Sequence, residues 1–116
     1  MYEVEFYDTS DGQCPVGDFL DSLEPKIKAK TLRTIDLLET NGPNLREPYS
    51  SPMGNGIFEL RTKQGTNITR VFYFFLVGQK VVLTNGLVKK TQKTPKADLD
   101  LAKKYKTDYE RRYCNE

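Results

Sequence analysis

Two stretches of this 116-residue chain place basic side chains where they could act on a phosphate. Glu59 and Arg61 lie two residues apart, across an alternating stretch from Phe58 and Leu60. Arg70 opens an aromatic run that contains Tyr73, and Lys89 and Lys90 end the apolar run after it. Arginine can grip a phosphate through two parallel N–H donors. Lysine adds a compact charge that stabilises a pentacoordinate transition state. A lysine crowded by other cations has its pKa pushed down, so it can move a proton where no imidazole is at hand. Plainer roles also fit each residue. Glu59 and Arg61 could be a solvated pair, Arg70 a strand edge, Tyr73 a core aromatic, and the lysine pair a solubilising strand end.

The composition removes several other chemistries. There is no histidine, so His-ligated metals, Ser-His-Asp triads and paired-imidazole ribonuclease chemistry are excluded. Cys14 and Cys114 stand at opposite ends of the chain and are expected to be unpaired thiols. No Gly-rich phosphate loop is present. Acidic residues near the basic block are too sparse for a two-metal site, so no metal and no cofactor is expected. At 13.4 kDa, with 37% hydrophobic and 29% charged residues, the chain fits one soluble globular domain over residues 1–116. No apolar run approaches the roughly 20 residues that span a bilayer. The first five residues lack the basic and apolar regions of a signal peptide. The expected location is the cytoplasm, without membrane contact.

Charge is distributed unevenly. Residues 1–60 hold 5 basic and 11 acidic side chains, whereas residues 61–106 hold 11 basic and 2 acidic. Such a split within one domain points to a polyanionic partner for the C-terminal half, nucleic acid first among them.

The elements that must position these groups follow from periodicity. Residues 2–7 alternate as a half-buried strand. A short helix is expected over residues 15–23, with Phe19, Leu20 and Leu23 inward. A second helix opens at Pro25 and runs to about Thr40, with Ile27, Ile35 and Leu38 on one face and Leu32 at its margin. Gly42 and Pro43 stop it. Residues 44–55, rich in Pro, Ser, Gly and Asn, read as a surface loop. Residues 57–63, 68–77 and 81–88 read as hairpin-linked strands, the middle one covered on both faces. Asn85-Gly86 interrupts the last strand as a bulge. The final helix opens with Thr94 as N-cap and Pro95 in its first turn, and Ala97, Leu101, Tyr105 and Tyr109 form its apolar stripe. The order β-α-α-β-β-β-α predicts an α+β fold. Its antiparallel sheet would have about four strands, with the two N-terminal helices on one face.

The series Phe58-Glu59-Leu60-Arg61, Arg70-Val71-Phe72-Tyr73-Phe74, Val81-Val82-Leu83, Lys89-Lys90-Thr91-Gln92-Lys93-Thr94-Pro95 and Leu101-Ala102-Lys103 resembles the phage-derived HigB-like branch of RelE-type toxins. The resemblance runs over about residues 57–109 and more loosely through the N-terminal strand and helices. It implies the toxin of a type II toxin–antitoxin pair: an mRNA interferase that cuts mRNA, usually in the ribosomal A site, and inhibits translation and growth. The cut leaves a 2′,3′-cyclic phosphate and a 5′-hydroxyl. The implied partners are mRNA, the ribosome and a HigA-like helix-turn-helix antitoxin, with operator DNA reached only through the antitoxin. By position, Arg61, Arg70, Lys89 and Lys90 are the catalytic candidates, with Glu59 and Tyr73 in support. Lys63, Lys80, Lys93 and Lys96 are the expected RNA contacts. The sequence departs from these relatives at Asn85-Gly86-Leu87, where His-Gly-Phe is frequent. Acid–base work then falls to lysine, tyrosine or glutamate.

Two other readings fit the same residues. One is a ParE-like inhibitor of gyrase, which binds a protein and cuts no RNA. The other is a non-catalytic nucleic-acid-binding module, whose affinity would fall steeply with salt.

Overall fold

The computed structural model describes residues 1–89 and 93–114. The elements are β1 (Glu3–Phe6), α1 (Pro15–Asp21), α2 (Pro25–Asn41), a 3₁₀ turn (Gly42–Asn44), β2 (Ser50–Gly54), β3 (Ile57–Gln64), β4 (Asn67–Leu76), β5 (Lys80–Lys89) and α3 (Lys96–Tyr113). The strands form one sheet in the order β1-β5-β4-β3-β2. β2 to β5 are an antiparallel meander, and β1 lies parallel to β5 with Val4 opposite Val81.

The sheet therefore corrects the expectation of four antiparallel strands in two ways. The segment expected as a loop contains a fifth strand, β2. Its Pro52 hid it, but proline is tolerated on a sheet edge, and β2 is an edge with an irregular register at Pro52 and Gly54. β1 runs parallel to its neighbour because two helices and three strands separate them. That connection is long enough for a parallel pair.

β4 is central and covered on both faces. Val71 and Tyr73 share a core with Val16 and Leu20 of α1, Ile35 and Leu38 of α2, and Leu60, Val81 and Leu83 of the neighbouring strands. Phe72 and Phe74 point the other way, beneath Ala102 and Tyr109 of α3. The first two helices thus share one face, as expected, and α3 covers the second. α2 is further tied to the sheet by two threonine pairs. Thr62 donates to Thr34 at 2.8 Å, and the Thr31 and Thr69 hydroxyls meet at 2.9 Å.

The bulge in β5 is present: the register steps from Val71 opposite Gly86 to Tyr73 opposite Leu83. Thr84 and Asn85 together face the single residue Phe72. Asn85 uses its amide to donate to the Asp98 carbonyl at 3.2 Å, which ties the bulge to the start of α3. Gly86 is required for packing, since a Cβ there would sit 2.6 Å from the Phe19 ring.

The stripe of α3 differs from expectation. Ala102 and Tyr109 are buried, Leu99 and Tyr105 pack beside them, and Ala97 is exposed. A repeat of strictly four residues drifts off a 3.6-residue helix within three turns, so the true stripe mixes steps of three and four. Tyr113 is the exposed aromatic of this helix, while Tyr105 stacks on Tyr7. No helix among the described residues is long and apolar enough to cross a membrane.

Candidate functional site

Strand geometry decides which candidates meet. Side chains alternate across a strand, and directly opposed residues share a face. Arg61 lies opposite Arg70, which lies opposite Leu87. The next rung is Lys63, Ile68 and Lys89. Glu59 is two residues before Arg61. Glu59, Arg61, Arg70, Lys63 and Lys89 therefore belong to the α3 face, and the two rungs are about 7 Å apart.

At the centre is the Glu59 carboxylate. Its Oε1 accepts from Arg61 Nε at 2.7 Å and from an Arg70 terminal nitrogen at 2.8 Å. Its Oε2 accepts from the Thr94 hydroxyl. Glu59 and Arg70 are both shut off from solvent, whereas the Arg61 side chain keeps 26% of its surface exposed. A carboxylate this deep needs charged and hydrogen-bonding partners, because desolvation penalises an uncompensated ion by several kcal/mol, about the scale of a whole domain's stability. Two guanidinium groups against one carboxylate leave a net positive charge among the three. Its solvent-facing part is Arg61, whose Nε is held by Glu59 and whose terminal nitrogens point to no partner among the described residues.

This arrangement changes the roles expected of two residues. Arg70 was expected to clamp a phosphate, but its side chain is fully buried against Glu59. As placed, it positions the carboxylate that orients Arg61. Tyr73 is not brought to the cluster at all. It points to the opposite face, 1% exposed, stacked on Phe58 and hydrogen-bonded to Ser50. Burial pushes its phenol pKa above the ordinary value.

The lysines divide. Lys89 is exposed at the end of β5 on the Arg70 face, and Lys63 is exposed on the same face of β3. Lys90 lies outside the described residues. Lys80 is nine residues from Lys89 along β5, roughly 30 Å away at strand spacing. It pairs instead with Glu5 at 3.2 Å. Lys93 is exposed just before α3, and Lys96 pairs with Asp100 at 2.8 Å in the first turn of that helix.

Thr94 is the site residue that sequence reasoning assigned elsewhere. Its position suggested an N-cap, but Pro95 occupies the cap and no side chain closes it. The hydroxyl turns to Glu59 and also lies 3.5 Å from Arg70. Its place at the end of the Lys-Lys-Thr-Gln-Lys-Thr run, behind Glu59 in space, was not visible without the register. No three His, Cys, Asp or Glu side chains converge to hold a metal among the described residues.

Beside the cluster runs a groove of about 760 Å³ between α2 and the end of β3, and Arg61 lines both. Its other walls include Lys30, Arg33, Leu37, Tyr49 and Lys63.

No curated protein matches the chain significantly. The family model for phage-derived Gp49-like proteins (DUF891) matches residues 18–107, which takes in α2, β2 to β5 and the whole Glu59 cluster. The chain belongs to this Gp49-like family, which is part of the RelE/ParE-type toxin group.

Proposed function

We propose that this protein is the toxin of a type II toxin–antitoxin pair and acts as a metal-independent, ribosome-dependent mRNA interferase of the HigB-like kind. The observation that carries the reading is the partly exposed Arg61 guanidinium. A buried carboxylate holds it in place, and an exposed lysine shares its sheet face. Glu59, itself fixed by Arg70 and Thr94, holds the Arg61 Nε. The terminal nitrogens are left to grip a scissile phosphate and stabilise its added charge.

The reaction is a transesterification. The 2′-oxygen attacks phosphorus as its proton passes to water, and the bond to the 5′-oxygen breaks. That oxygen takes a proton from a lysine ammonium at the end of β5. The products are a 2′,3′-cyclic phosphate and a 5′-hydroxyl. Lys89 shares the Arg70 face of the sheet and is the lysine we assign to this proton transfer, with Lys90, its neighbour in sequence, as the other candidate. Lys63 and Lys93 flank the phosphate as backbone contacts. The same reading makes the cytoplasm the site of action and a HigA-like antitoxin the partner.

The test is induction of the chain alone in a bacterial host. Growth arrest with primer-extension stops inside translated messages, but not in untranslated ones, is the expected result. Arrest with intact mRNA and blocked supercoiling would instead identify a gyrase inhibitor. Steeply salt-dependent RNA binding without arrest would identify a binding module.

A further inference from the structure

The groove beside Arg61 has the wrong lining for RNA alone. Lys30, Arg33, Thr34 and Leu37 line it from α2 at spacings of three and four, which is one stripe of the helix. Pro48 and Tyr49 close one side, and Arg61, Thr62, Lys63 and Ile68 close the other. Four cations face one carboxylate, Asp36. Leu37 and Tyr49 both line the groove and are 37% and 43% exposed, so it presents apolar surface to solvent. The β3 edge is also open beyond Arg61, because the β2 ladder ends at Leu60 and the last backbone bond across it runs from the Arg61 N–H to the Tyr49 carbonyl at 2.8 Å. The Lys63 carbonyl on that edge accepts from Lys30 Nζ at 3.2 Å.

We propose that this groove docks an acidic, amphipathic segment of a partner protein, the antitoxin on the reading above, with apolar side chains on Leu37 and Tyr49 and carboxylates on the Lys30, Arg33 and Lys63 rim. The lining decides between classes of partner. A nucleic acid strand would use the cations and could stack on Tyr49, but it would leave Leu37 and Pro48 without a matching surface. A segment that carries both carboxylates and apolar side chains covers all of them. The position has a consequence for the site. A carboxylate seated next to Lys63 reaches the terminal nitrogens of Arg61, so docking and phosphate binding exclude one another. The inference rests on the toxin reading, since the groove matters for activity only if Arg61 holds the substrate.

The experiment uses the whole chain and the purified protein encoded beside its gene, with affinity measured by calorimetry. Lys30→Glu/Arg33→Glu and Leu37→Ala are the variants, checked by circular dichroism and by retained mRNA cleavage. The expected result is a loss of tenfold or more in affinity for the double variant and a smaller loss for Leu37→Ala. The salt dependence of the double variant should also be shallower than that of the parent. Unchanged affinity in both variants overturns the inference and leaves the toxin reading standing. Failure of the neighbouring protein to bind the parent chain removes the pair itself, and the inference with it. A single-stranded RNA dodecamer is the second probe. If the double variant weakens RNA binding and leaves partner binding intact, the groove is an RNA exosite and the docking proposal is wrong.

Discussion

Arg70 donates to Glu59 at 2.8 Å, and neither side chain is exposed to solvent. The pair sits at the junction of β3, β4 and the segment that leads into α3. Removing one partner leaves the other charge buried. Arg70→Ala and Glu59→Ala are therefore each expected to destabilise the fold by about 3–5 kcal/mol. The double change Glu59→Leu/Arg70→Met removes both charges at once and is expected to recover most of that loss while abolishing toxicity. Urea unfolding of the two single variants and the double variant checks this. Singles as stable as the parent would show that the pair is solvated in solution.

Thr94→Val removes the hydroxyl that donates to Glu59 and keeps the side-chain shape. A hydrogen bond to a charged group contributes about 1.5–3 kcal/mol. The expected result is a stability loss toward the lower end, because the residue is only partly buried. Cleavage should slow more than substrate affinity falls, because Glu59 then holds Arg61 less firmly. Thr94→Ser, which keeps the donor, should restore both. Equal kinetics in the valine variant and the parent would remove Thr94 from the site.

A second, partly buried contact predicts the acid limb of stability. The Tyr7 hydroxyl donates to Asp108 at 2.6 Å. That bond, with hydrogen bonds from Arg111 and Arg112, pulls the Asp108 pKa down to about 2. Burial, and then the same carboxylate, pushes Tyr7 up to about 12. A depressed carboxylate contributes stability above its ordinary pKa of 3.8 and loses it as pH falls through about 2. The parent chain should lose stability over that window, and Asp108→Asn should be less stable at neutral pH with a flatter acid limb. Superimposable acid-unfolding curves would contradict the assignment.

Much of this architecture is legible in residue order. The alternation around Phe58 and Leu60, the aromatic run of β4 and the Pro25-to-Gly42 helix follow from period and from strong start and stop signals. Asn85-Gly86 marks its bulge. What is not legible depends on long-range register. β2 is hidden because an edge strand tolerates the proline that a central strand would not. The parallel setting of β1 depends on the route of the whole chain. Tyr73 is three residues from Arg70, an odd step that alternation alone sends to the opposite face, whereas Glu59 is eleven residues away and joins Arg70 only through the strand pairing. Thr94 has an ordinary local explanation as a cap, so its bond to a residue 35 positions away leaves no local trace. The α2 groove is hidden for a similar reason. Lys30, Arg33 and Leu37 read as a solvated helix face until the open end of β3 is placed beside them.

Arg61 offers the most direct test. Its ion pair with Glu59 is partly exposed, so Arg61→Ala should change stability by less than about 1 kcal/mol. The rate should fall on the order of 10²-fold, as for loss of one transition-state donor. Arg61→Lys should restore little of it, since an ammonium cannot hold Glu59 and a phosphate in one plane. The measurement is mRNA cleavage in a reconstituted translation reaction, with the ends of the fragments identified. The account predicts 2′,3′-cyclic phosphate ends with the parent chain, and a folded Arg61→Ala protein that leaves the message nearly intact. Undiminished cleavage by Arg61→Ala, or no cleavage by the parent chain on translating ribosomes, would contradict it.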